Sequence, residues 1–146
     1  MNELYNACNL CPRKCHINRN LTTGVCNNTS SIKVARSALH YFEEPSISGS
    51  NGSGTIFFSG CNLKCCYCQN KEISTNNFGI NISIKRLSEL MLDLQSKGAN
   101  NINLVTPTHF VPSIIEAIKL ARENGLNIPI VYNTSGYENV DTIKLL

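Results

Sequence analysis

Three cysteines, Cys61, Cys65 and Cys68, follow the spacing C-x3-C-x2-C within the stretch Gly60 to Asn70. They come straight after an apolar run, Thr55-Ile56-Phe57-Phe58, that reads as a buried strand. Three thiolates on one tight loop can hold three irons of a four-iron, four-sulfur cluster and leave the fourth iron open to activate a substrate or cofactor. A structural zinc site would need a fourth ligand. A dithiol reading of Cys65-x-x-Cys68 would need a thioredoxin-like pattern that the sequence does not show. Cys66, between the two thiols, reads as a packing residue.

A second set, Cys8, Cys11, Cys15 and Cys26, is spaced C-x2-C-x3-C-x10-C near the start of the chain. Pro12, Gly24 and many asparagines break any long periodicity, so this segment is a loop-rich knot. It is too short and polar to fold on burial alone, and four thiolates around a metal would supply the missing staple. Zinc, a second iron–sulfur cluster and free or redox thiols all remain open. His16 beside Cys15 reads as an exposed loop histidine.

At 146 residues the chain is one ordinary domain, or a small domain with part of a larger one. An apolar content of 42% is enough for a packed core. The net charge of +3 is too small to argue for nucleic acid, although residues 1–40 set Arg13, Lys14, Arg19, Lys33 and Arg36 against Glu3 alone. Met1 to Leu10 has no basic start and no apolar core, and nothing approaches the ~20 apolar residues that span a bilayer. A cytoplasmic, reducing location is expected, where eight cysteines are metal ligands or catalytic thiols before they are disulfides.

The elements that must position these thiols follow from periodicity. Ile32, Val34 and their neighbours begin a strand. His40, Glu43 and Glu44 lie in a surface turn before Pro45, and Ser46 to Gly54, rich in Ser and Gly, reads as a hinge. After the cysteine loop a polar stretch runs to Asn81. Ile84, Leu87, Leu90, Met91 and Leu94 then recur at helical spacing, with Ser83 as N-cap and Gly98 past the end. Asn101 to Val105 reads as a strand, and a helix beginning near Pro112 presents Ile114, Ile115, Ile118 and Ala121 and stops at Gly125. Ile128 to Tyr132 is a further strand. A last helix from about Asn139 should turn Val140 and Ile143 inward.

This β-α-β-α-β-α rhythm predicts an α/β fold with a parallel sheet. Loops at the C-terminal ends of parallel strands share one rim, which would bring the cysteine loop, Thr106–His109 and Asn133–Tyr137 together. Capping preferences alone would also place Thr, Asn and Ser in such corners. Three strands neither close a barrel nor protect a sheet's edges, and no stop signal follows Leu145-Leu146. The chain is therefore expected to be the N-terminal part of a longer protein. The expected division is a Cys-rich metal-binding segment with its linker at 1–54 and the first half of a barrel at 55–146.

The stretch Ile56 to Asn70 resembles the radical S-adenosylmethionine (SAM) superfamily through C-x3-C-x-aromatic-C, and within it the pyruvate formate-lyase activating enzymes. Cys8-Asn-Leu-Cys11-Pro12-Arg13-Lys-Cys15, Gly24-Val-Cys26, Ala38-Leu-His40 and Asn101 to Phe110 are similar to the PflX-type branch of these activating enzymes. The resemblance implies about three βα units of a partial TIM-type (β/α)6 barrel, with SAM on its C-terminal rim. It implies a [4Fe-4S] cluster on Cys61, Cys65 and Cys68, whose fourth iron SAM chelates. Tyr67 would lie beside the adenine, and Asn70, Thr106, Thr108, Asn133 and Ser135 are the candidate cofactor contacts with it. Thr106-Pro107-Thr108-His109 stands where many relatives carry a Gly-Gly-Glu segment that holds SAM's amino group. The implied reaction is reductive cleavage of SAM to a 5′-deoxyadenosyl radical that abstracts hydrogen. A glycyl radical enzyme is the implied protein substrate, and flavodoxin or ferredoxin the electron donor, with no nucleic-acid or membrane partner. The competing reading is a non-catalytic zinc-binding module that recognises a protein or nucleic acid.

Overall fold

The computed structural model describes residues 2–146. Met1, where the stretch read as leaderless begins, lies outside them. Five strands form one mixed sheet: β1 (Ile32–His40), β2 (Ser53–Phe58), β3 (Ile80–Ile82), β4 (Ile102–Val105) and β5 (Ile130–Asn133), in the order β3-β1-β2-β4-β5. Strands β2, β4 and β5 are parallel, as the apolar runs predict, with Thr55, Asn103 and Val131 in register. The two strands on the other side are antiparallel, with β1 pairing both β2 and β3.

The helices sit where periodicity puts them. The Ser83 hydroxyl accepts from the Arg86 N–H and starts α3 (Ile84–Ser96), and α4 (Val111–Glu123) has Pro112 in its first turn. Both end just before a glycine in the left-handed region, Gly98 at φ 87° and Gly125 at φ 97°. Leu87, Met91 and Leu94 of α3, with Ile114, Ala117 and Ala121 of α4, bury one face of the sheet at Ile32, Val34, Ile56, Phe58, Ile102 and Leu104. Strand alternation turns Thr55 and Asn103 to the opposite face. There Asn103 is fully buried with neither amide atom partnered.

Three expectations are corrected. Ser46 to Gly54 is no hinge: Pro45–Ser48 forms a helical turn (α1), and Ser53 and Gly54 already belong to β2. Asn101 clamps the segment, donating to the Ile47 carbonyl at 2.7 Å and accepting from the Ser53 hydroxyl at 2.6 Å, while its own carbonyl takes the Gly54 N–H at 3.0 Å. The Gly54/Thr55 boundary therefore falls inside a strand. The polar stretch before Asn81 also carries structure, a helical turn α2 (Lys71–Ser74) and then β3. Finally, α5 (Val140–Ile143) is a single turn that buries Thr142, while Val140 and Ile143 are exposed.

The Cys-rich segment has little regular structure beyond a 3-10 turn at Asn2–Tyr5. It is nonetheless docked. The Tyr5 hydroxyl bonds the Ser113 hydroxyl of α4 at 2.9 Å, and the Asn28 amide donates to the Ser59 carbonyl at 2.8 Å.

Candidate active site

The cysteine loop leaves the C-terminal end of β2 through Ser59 and Gly60. Gly60 sits at φ 77° and its N–H donates to the Ile73 carbonyl of α2, which turns the chain sharply out of the sheet. A second left-handed residue, Lys64 at φ 54°, lies between the first two thiols, and the Cys68 N–H closes a turn onto the Cys65 carbonyl. Cys61, Cys65 and Cys68 are half-buried. Two donors point at their sulfurs: the Leu63 N–H at Cys61 Sγ and the Ser74 hydroxyl at Cys68 Sγ, each at 3.3 Å. Such donors can hydrogen-bond the sulfur of a metal-bound cysteine. Cys66 is exposed at the outer turn of this loop, which corrects its reading as a packing residue.

The other two corners meet the loop. The Thr106 N–H donates to the Asn133 carbonyl at 3.0 Å and joins their backbones directly. His109 Nε2 donates to the Ser59 carbonyl at 2.8 Å, and the Asn62 amide donates to the Tyr137 carbonyl at 3.0 Å. Arg13 covers this junction from the Cys-rich segment, with Nε on the Asn62 carbonyl at 2.8 Å and its guanidinium 5.6 Å from the Tyr137 ring centre. The rim shared by three loops is therefore present.

Among the residues singled out on sequence, Thr108 is buried and donates to Glu138 Oε1 at 2.5 Å, an oxygen that the Thr134 hydroxyl also bonds. Thr106 has φ 58°, an outlier for a β-branched residue that glycine would adopt freely. Asn133 is half-buried, while Tyr67, Asn70 and Ser135 are exposed on the outer parts of their loops. Asn62, Glu138, Arg13 and Arg19 were not singled out. Glu138 follows a polar corner already marked by Asn133-Thr134-Ser135-Gly136, and that adjacency was its one signal. Its Oε2 and the nearby Tyr132 hydroxyl are both buried, and burial, then the Glu138 charge, pushes the Tyr132 pKa far up.

His109 is fully buried and packs on Phe110, their ring centres 4.3 Å apart. Burial, and secondarily Arg19, lowers its pKa from 6.5 to about 3, so the folded ring is neutral. Above pH 6.5 both folded and unfolded forms are neutral and the group contributes nothing. Between 6.5 and 3 only the unfolded chain takes up the proton, so stability falls as pH falls, by about 1.4 kcal/mol per pH unit. Urea titrations at about pH 7 and about pH 5 should therefore differ by about 2 kcal/mol more in the wild type than in His109→Gln, which keeps a donor for Ser59. Equal differences would show that His109 titrates normally.

Among the described residues, no three Cys, His, Asp or Glu side chains are gathered as ligands of one metal ion. A four-iron cluster asks something different of its ligands, one thiolate per iron. The half-buried thiols on one turn, with donors aimed at two of them, fit that demand.

A mixed α/β sheet thus carries the three-cysteine loop on the rim of its parallel strands. The chain belongs to the Radical SAM superfamily, whose family model matches residues 55–146. An uncharacterized protein of Methanocaldococcus jannaschii is 30% identical over 153 residues, covering 99% of this chain and 43% of the relative. The chain thus spans less than half the length of that relative. No solved structure matches it. No helix among the described residues is long and apolar enough to cross a membrane.

Proposed function

We propose that this chain carries the cluster-binding half of a radical SAM enzyme, with Cys61, Cys65 and Cys68 each ligating one iron of a [4Fe-4S] cluster. The observation that carries the reading is the meeting of the cysteine loop with the Thr106–His109 and Asn133–Glu138 corners on one rim, through Ser59–His109, Asn62–Tyr137 and Thr106–Asn133. A cluster and SAM bound there would supply reductive cleavage of the sulfonium to a 5′-deoxyadenosyl radical for hydrogen abstraction. The chain's own residues bind and orient. The Leu63 N–H and the Ser74 hydroxyl hold thiolate charge, and Asn62 locks the loop to the Tyr137 corner. Tyr67, Asn70, Thr106, Thr108, Asn133 and Ser135 are the cofactor contacts in this reading. The exposed Tyr67 ring is free to stack on a base. Where many relatives carry Gly-Gly-Glu, the carboxylate would come from Glu138, which Thr108 and Thr134 hold by one oxygen while Oε2 lies buried beside the Tyr132 hydroxyl.

Similarity to the PflX-type branch supports an activating role toward a glycyl radical enzyme in the cytoplasm, with flavodoxin or ferredoxin as donor. The segment carrying Cys8, Cys11, Cys15 and Cys26 and the barrel half that follows it are the two functional parts of this reading.

The test is anaerobic incubation of the full-length protein with iron, sulfide, dithionite and SAM, followed by chromatography for 5′-deoxyadenosine. The wild type should form it, and Glu138→Gln should require about tenfold more SAM, as the loss of one charged contact does. Absence of 5′-deoxyadenosine from an iron-loaded wild type would contradict the reading.

A further inference from the structure

Arg19 is among the largest fully buried side chains of the molecule, 1% exposed, and it is a permanent cation. The ion pairs among the described residues are Arg86–Glu89 and Lys97–Asp93, so no carboxylate compensates it. Its donors go to neutral carbonyls instead: Nε to Asn28 at 3.1 Å, Nη1 to His109 at 2.6 Å and Nη2 to Thr29 at 2.6 Å. Its guanidinium also lies 5.1 Å from the Tyr5 ring centre and 5.7 Å from that of Phe110. A buried charge held only by neutral groups is costly unless an anion stands nearby.

The titratable groups facing Arg19 are Tyr5, His109, Cys8 and Cys26. His109 is neutral, and burial holds the Tyr5 phenol protonated. The thiols remain. Cys8 Sγ lies 3.8 Å from Arg19 Nη1, and Cys26 is buried within its field. Cys11 and Cys26 each feel Cys8 and Cys15 as neighbours, and the sulfurs of Cys15 and Cys26 both lie 3.6 Å from where a β-carbon on Gly24 would be. Left-handed turns at Lys14, His16 and Asn27 fold the backbone back beside Cys15 and Cys26. Cys8 and Cys26 thus border a cation that lacks a counter-charge, with Cys15 beside Cys26 and Cys11 near Cys8, and binding a metal would draw the four thiols together.

We propose that Cys8, Cys11, Cys15 and Cys26 form a tetrathiolate metal centre, distinct from the cysteine loop, with Arg19 as its buried counterion. Four thiolates around a zinc ion or an iron–sulfur cluster carry net negative charge, which the guanidinium offsets. Metal binding releases the thiol protons to solvent, since only the thiolate ligates. The centre also bears on the cysteine loop. Asn28 donates to both the Cys26 and the Ser59 carbonyls, and Arg19 reaches Ser59 through His109, so the residue next to the Gly60 turn is held from the metal side.

The test uses the full-length protein carrying Cys61→Ala, Cys65→Ala and Cys68→Ala, which removes the loop's thiols and separates this proposal from the first. One arm loads it with zinc and the other, anaerobically, with iron and sulfide. Retention of one zinc ion or one cluster per chain, lost on adding Cys8→Ser and Cys26→Ser, supports the centre, and the arm that loads identifies the metal. No metal in either arm overturns it. In chelator competition, Arg19→Met should weaken metal binding about 10–100-fold, and Arg19→Lys should restore most of the loss. If Arg19→Met instead lowers the melting temperature of the metal-free chain and leaves metal affinity unchanged, the counterion role is overturned.

Discussion

Replacing any one of Cys61, Cys65 or Cys68 by alanine is expected to strip the loop of its cluster and abolish SAM cleavage. In the proposed cluster each thiolate would serve a separate iron, so no neighbouring thiol could stand in for one that is lost. Cys66 is next in sequence, but it is exposed on the outer turn of the loop. Cys61→Ala and Cys68→Ala would also leave the Leu63 N–H and the Ser74 hydroxyl without their sulfur acceptors. Iron and sulfide analysis after anaerobic reconstitution, done in a Cys8→Ser, Cys26→Ser background where only the loop can load, should show cluster content reduced at least about tenfold in each variant. Cys66→Ala should load like the wild type. Equal iron in the three variants and the wild type would show that the ligands lie elsewhere.

Gly60→Ala is expected to be the most damaging single change to the fold near the site. A β-carbon there would lie 2.0 Å from the Asn28 amide nitrogen and 2.2 Å from the Cys26 carbonyl oxygen. The second of these is backbone and cannot swing aside. The φ of 77° adds strain for any side chain. Together these should cost on the order of 3–5 kcal/mol and lower the melting temperature by about 10 °C or more. A melting temperature within about 2 °C of the wild type would mean that the Cys-rich segment is not pressed against the turn as described.

The parallel half of the fold was legible because its signals are local. Thr55–Phe58 and Ile102–Val105 are short, mostly apolar runs, and α3 and α4 carry helical spacing, α3 after a capping serine and α4 from a first-turn proline, each stopped by a glycine. The antiparallel half was not. Ile80–Ile82 is a three-residue edge strand inside a polar stretch, and only its pairing with Ile32–Val34 makes it a strand. Ser46 to Gly54 has the composition of a linker, yet Asn101, far along the chain, holds it in place. Propensity has no access to such a partner.

The site divides in the same way. The three cysteines were readable from spacing, and the rim from strand order. Glu138 and Arg19 were not, because their importance lies in what they meet. Glu138 finds Thr108 across two loops, and Arg19 is a cation in a segment that looks like a solvated basic face but is sealed between Tyr5 and Phe110. For Val140 and Ile143 the helical phase was misread, since a one-turn helix gives periodicity too little length to decide which side faces in.

The most direct test of the central claim is electron paramagnetic resonance of the anaerobically reconstituted, dithionite-reduced protein, recorded with and without SAM. A reduced [4Fe-4S] signal that changes when SAM is added is predicted, and this SAM-responsive signal should be absent from the Cys61→Ala, Cys65→Ala, Cys68→Ala variant. A signal that SAM still alters in that variant, or that SAM leaves unchanged in the wild type, would contradict it.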